Sequence, residues 1–188
     1  MRYLFFLFII FFTADSNIYA QNEIRKITNG VLLVRLQTNK HLIEHYTDRN
    51  MLEKANIEKQ KQINSNEYII NTFKKEWLLS PVYFFYSNFS DEIQNNNFTN
   101  IFKDDKTPLN DDEKSQLHNN FFIAYIGDTP GSLKFNALVL TDNHFQTLQS
   151  PYPRYVRTYQ GFWFFKRRLE KSIQILQKKI NFQLSRIK

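Results

Sequence analysis

Short apolar runs alternate with longer, helically patterned stretches along this chain, and the alternation predicts a sheet whose strands are separated by helices. Residues 30–36 (GVLLVRL), after an Asn-Gly turn, read as a buried strand. Over residues 40–62 the apolar positions Leu42, Tyr46, Leu52 and Ala55 are roughly helically spaced, with Glu44, Arg49, Glu53, Lys54, Glu58 and Lys59 as a charged outer face. Residues 67–79 place Ile69, Ile70, Phe73 and Trp77 on one stripe, so the two stretches form one long helix or a pair broken near Asn64. Residues 82–86 (VYFFY) are apolar on both faces, which predicts a central strand. Polar segments follow, 87–97 and 103–120, the second a loop of the mobile or functional kind.

Further on, residues 121–126 (FFIAYI) predict a strand closed by Gly127 and Asp128. Residues 137–141 (ALVLT) run into a hairpin-type turn at Asp142 and Asn143, with a return strand over 144–148. Residues 155–159 predict a last strand. Phe162, Phe165, Leu169, Ile173, Leu176, Ile180, Leu184 and Ile187 then trace one apolar stripe of a closing helix. The pattern is α/β with a mixed sheet: the long first crossover suits a parallel connection, the Asp142 turn an antiparallel one. A thioredoxin-like order of elements is a candidate. Redox chemistry does not follow from it, because the chain has no cysteine, which also removes thiol nucleophiles and thiolate zinc sites.

The first twenty residues stand apart. Met1 and Arg2, the apolar run 3–12 and the polar run 13–20 ending in Ala20 have the order of a secretory signal, cut after Ala20. The apolar run is too short for a bilayer span, which takes about 20 residues. Gln21 follows the cut, and without a cysteine there the protein is not expected to be a lipoprotein. Residues 21–188 are then one domain, soluble after cleavage, in the periplasm or outside the cell.

Charge is uneven as well. The net is +7, yet from Arg154 onward ten basic residues face a single acid, Glu170, so that segment carries +9. Outside its apolar stripe the closing helix bears Lys166, Arg167, Lys171, Lys178 and Lys179, preceded by Trp163 and Phe164. That composition suits an acidic membrane surface or an acidic envelope protein. It equally describes a helix docked by its stripe with solvated cations outside. Export makes nucleic acid a poor partner.

Two constellations carry possible chemistry. His41, Glu44 and His45 match HxxEH: two imidazoles four apart share a helix face and can hold zinc, with Glu44 polarising a bound water. The text HLIEHY resembles the helix of the inverted zincin metallopeptidases, although no third ligand is visible downstream. Two exposed His on a charged helix fit the same residues. Ser87, Ser90 and Asp91, after one strand, and Asp128, after another, occupy the strand ends where open α/β sheets bind small ligands. Ser90, Asp91 and Glu92 also fit a helix start with Ser90 as N-cap. No GxSxG elbow supports a serine nucleophile, and His144 beside Asp142 reads as part of a turn.

Taken as a set, residues 30–36, 81–93 (PVYFFYSNFSDEI), 136–142 (NALVLTD) and 153–159 (PRYVRTY) resemble an uncharacterised family of small exported proteins from Gram-negative bacteria. The resemblance implies export and a similar α/β domain, brings no catalytic residues, and does not include the His41 and His45 pair. The expectation is an exported binding or envelope-associated accessory protein without a cofactor. The alternative is a zinc hydrolase using His41, Glu44 and His45.

Overall fold

The computed structural model describes residues 26–118, 120–132, 134–148, 152–159 and 166–186. The signal segment, Trp163 and Phe164 lie outside the described residues. Five strands form one mixed sheet: β1 (Val31–Leu36), β2 (Val82–Tyr86), β3 (Phe121–Asp128), β4 (Asn136–Thr141) and β5 (Tyr155–Arg157), in the order β2-β1-β3-β4-β5. β1 is parallel to β2 and to β3, while β4 is antiparallel to both β3 and β5. The expected α/β class and mixed sheet are therefore observed.

Helices α1 (Lys40–Asp48) and α2 (Leu52–Glu76) join β1 to β2, and α3 (Ser90–Gln94) and α4 (Asp111–Leu117) lie between β2 and β3. Helix α5 (Leu169–Ser185) follows β5. Alternation along β1 feeds two cores. Leu32, Val34 and Leu36 join Ile69, Ile70 and Phe73 of α2, Trp77 just past its end, and Leu169, Ile173, Leu176 and Ile180 of α5 on one face. Val31 and Leu33 meet Phe85, Ile93, Leu109 and Leu117 on the other. Burying both faces is what gives the parallel strands their unbroken apolar text.

Some boundaries differ from expectation. The first helical region breaks at Asn50, in the left-handed region at φ 56°, and not near Asn64. Asparagine tolerates that conformation, and the N–H of Met51 reaches back to the Tyr46 carbonyl at 2.8 Å to close α1. β2 is an edge strand, not a central one. Its outer edge is shielded by Phe102, which exchanges two backbone hydrogen bonds with Phe84 at 2.9 Å each and stacks on its ring. Double-sided apolarity here reports cover on both faces and on the edge, which reads the same as a central position. The polar stretch 103–120 contains α4, started by a capping box between Asn110 and Glu113 and anchored by buried Leu117.

Beyond the Asp142 turn only a Thr141–Thr147 bridge forms, in place of a return strand. The reason lies in Asp142: its carboxylate accepts the N–H groups of His144 and Gln146 at 2.9 and 2.8 Å, curling the chain, and Phe145 sits at φ 60°. The last helix begins at Leu169, after Arg168 in extended conformation at ψ 151°; Phe162 and Phe165 of the expected stripe lie outside the described residues.

Gly30 is required where the chain enters β1. A Cβ there would lie 2.4 Å from the Asn120 carbonyl oxygen and 2.6 Å from that of Lys26, both backbone atoms.

Candidate ligand-binding crevice at the strand ends

The three parallel strands end on one edge of the sheet. From β1 the chain leaves over the face covered by α2, and from β2 over the face covered by α3 and α4. The strand order reverses at β1, whose connection runs to β2 on one side while β3 lies on the other, and α/β sheets bind ligands beyond the carboxyl ends at such a reversal.

Arg35 stands there. Alternation places it on the α3 and α4 face, one step beyond Leu33, with Phe85 of β2 and Tyr125 of β3 as its register neighbours. The guanidinium is half-buried, and its Nε donates to Ser90 Oγ at 2.9 Å. Ser90 Oγ in turn donates to the Ser87 carbonyl at 2.6 Å, and the hydroxyls of Ser87 and Thr38 meet at 3.2 Å across the two strand ends. No ion pair to Arg35 forms among the described residues. Burial lowers the pKa of the guanidinium and Tyr125 partly offsets this, while burial raises that of the Tyr125 phenol against the pull of Arg35. An arginine keeps its charge through such a change. The result is a fixed cation with its remaining N–H groups uncommitted, framed by hydroxyls.

Of the residues expected at this site, Ser87 and Ser90 are brought together. Ser90 is not the N-cap of α3; Phe89 holds that position without a side-chain bond, and the Ser90 hydroxyl is engaged with Arg35 and Ser87 instead. Asp91 and Asp128 are exposed and do not pair with Arg35. The backbone carbonyl of Asp128 accepts the Tyr125 hydroxyl at 3.4 Å. Phe145 meets Phe85 edge-on at 6.5 Å, and Gln94 reaches the His144 carbonyl at 3.4 Å, so the Asp142 turn packs against the α3 side of the sheet.

Arg35 was not apparent as a site residue in the sequence. The available signal was its isolation: it is the one charged residue in GVLLVRL, next to the strand's end. An arginine in a strand buried on both faces needs a partner or a ligand.

The other candidates are dispersed. His41, Glu44 and His45 are all exposed on α1; Glu44 pairs with Lys40 at 3.7 Å, and His45 lies edge-on to Tyr46. Among the described residues no three His, Asp or Glu side chains gather closely enough to hold a metal ion. On α5 the stripe Leu169, Ile173, Leu176 and Ile180 is buried, with Lys171, Lys178 and Lys179 outside. Lys166 and Arg167 precede the helix and line a separate cavity with Arg168. No described helix is long and apolar enough to cross a membrane. Compared with protein-family models, curated protein sequences and solved structures, the chain matches none.

Proposed function

We propose that this chain is an exported binding protein, periplasmic or secreted, serving an accessory role in or near the cell envelope and not catalysing a reaction. Its ligand is a small carboxylate held by Arg35. The observation that carries this reading is the half-buried guanidinium without an ion pair among the described residues, set near the carboxyl end of β1, where the strand order reverses, and positioned by Ser90. A carboxylate takes two parallel N–H bonds from a guanidinium fork, and the hydroxyls of Thr38, Ser87 and Tyr125 offer further partners. Export rests on the order of Arg2, the apolar run 3–12 and Ala20.

Isothermal titration of residues 21–188 with succinate, glutamate and acetate tests the reading. Saturable binding is expected for at least one of them, weakened about tenfold or more by Arg35→Gln and also weakened by Arg35→Lys, which keeps the charge and loses the fork. Absence of saturable binding to all three, or binding indifferent to Arg35→Gln, overturns it.

A further inference from the structure

A cavity lies on the face of the sheet opposite Arg35. It measures about 480 Å³ and sits between α2, the ends of β3 and β4, and the segment entering α5. Three successive cations, Lys166, Arg167 and Arg168, line it. Arg167 is fixed in place: its guanidinium donates to the Arg157 carbonyl at 2.6 Å, and its N–H bonds the Thr158 carbonyl. Lys166 and Arg168 make no side-chain hydrogen bond or ion pair with any described residue. Glu170 accepts the hydroxyl of the lining residue Tyr68 at 3.0 Å and keeps its negative charge, so these three cations and this acid together carry +2.

Three positive charges sharing one concavity repel each other, and a single carboxylate would leave most of that repulsion in place. A dianion would not. We infer that this cavity binds a phosphate monoester, its phosphoryl oxygens on Lys166, Arg167 and Arg168. A phosphate monoester carries about −1.5 to −2 near neutral pH and three acceptor oxygens, matching three cationic donors in number and sign. The volume falls within the range of small-ligand pockets, about 300–1,000 Å³, and exceeds the need of bare phosphate. The organic part of the ester rests on Ile126 and Leu169, with the Asn136 and Tyr68 side chains at the cavity wall. The phosphoryl group has two sources in reach of an exported protein: a soluble sugar or glycerol phosphate, and the headgroup of phosphatidic acid.

The test uses residues 21–188 at physiological salt. Glycerol 3-phosphate is titrated by calorimetry, and sedimentation is measured with phosphatidylcholine vesicles with and without phosphatidic acid. Saturable binding in either arm is expected, weakened about tenfold or more in the double variant Lys166→Gln, Arg168→Gln and unchanged by Arg35→Gln. Binding to glycerol 3-phosphate assigns a soluble ester; binding to phosphatidic acid vesicles alone assigns the headgroup. Both altered side chains are exposed, and an unchanged melting temperature verifies that the variant is folded. Three outcomes overturn the inference: no saturable binding in either arm, equal affinity for sulfate, or full binding by the double variant.

Discussion

On one face of the sheet, helices of 25 and 17 residues lay long apolar stripes across the strands. On the other, helices of only five and seven residues share the work with irregular chain. The first face is tied by side chains bridging its helices: Gln177 of α5 accepts the Leu78 N–H at 2.7 Å and donates to the Glu76 carbonyl at 2.7 Å, closing the end of α2. The second is held by local devices, the Asn110 capping box and the Lys103–Glu113 pair at 2.8 Å, while the 103–107 loop at the sheet's edge is joined to α2 by the Lys74–Asp104 pair and by Lys106–Glu67 at 3.2 Å. A cover of long helices is cooperative, whereas one assembled from short segments opens piecewise. The Arg35 guanidinium sits on the second face, where local opening would admit the proposed carboxylate.

The sharpest way to break this contrast is to cut one large side chain from each face. Phe73 and Leu117 are both fully buried, the first beneath α2 and the second beneath α4. Phe73→Ala should cost about 3–5 kcal/mol and lower the denaturation midpoint of the whole chain. Leu117→Ala should cost about 2–5 kcal/mol, with hydrogen exchange accelerating first at α4 and the 98–110 segment. If both variants raise exchange uniformly over the two faces, the faces form one cooperative unit and the contrast fails.

The faces differ in the same way in how readable they are from sequence. Ile69, Ile70, Phe73 and Trp77, and Leu169, Ile173, Leu176 and Ile180, recur at helical spacing because a long helix must repeat its buried positions. Helix α4 spans two turns and buries only Leu117, so it has no period to detect; Asn110 with Glu113 three residues on was the one sign of it, which the loop reading of 103–120 did not use. The edge position of β2 was hidden because Phe102, distant in sequence, covers it. Likewise, Ser87 and Ser90 were legible as residues following a strand. Their partner Arg35 was not, since the contact depends on β1 and β2 lying side by side, and 55 residues separate Arg35 from Ser90.

A gentler perturbation addresses the capping box itself. Asn110 Oδ1 accepts the Glu113 N–H at 2.8 Å, and the Glu113 carboxylate accepts the Asn110 N–H at 2.9 Å. Asn110→Ala removes the first bond and should cost about 0.5–2 kcal/mol, and Asn110→Asp should restore most of it. Chemical denaturation measures both. If alanine proves as stable as the original residue, α4 is held by Leu117 alone, and the second face relies on packing as the first does.

The smallest effect expected is a loss of protection at acid pH that begins at α4 and the edge loop 103–107. The Lys103 ammonium and the Asn110 N–H hold the Glu113 carboxyl below its ordinary pKa, and the Thr107 hydroxyl and N–H do the same for Asp105. A carboxyl with a depressed folded-state pKa stabilises the fold above its unfolded value, about 4.3 for Glu and 3.9 for Asp. That contribution is lost as pH falls through those values toward the lower folded-state ones. Amide protection factors measured from neutral pH down to about pH 3 should therefore fall first over 103–117, ahead of α2 and α5. Glu113→Gln should flatten the part of that response that comes from the Lys103 pair. Earlier loss of protection in α5 than in α4 would reverse the order and place the acid-sensitive contacts on the face of the long helices.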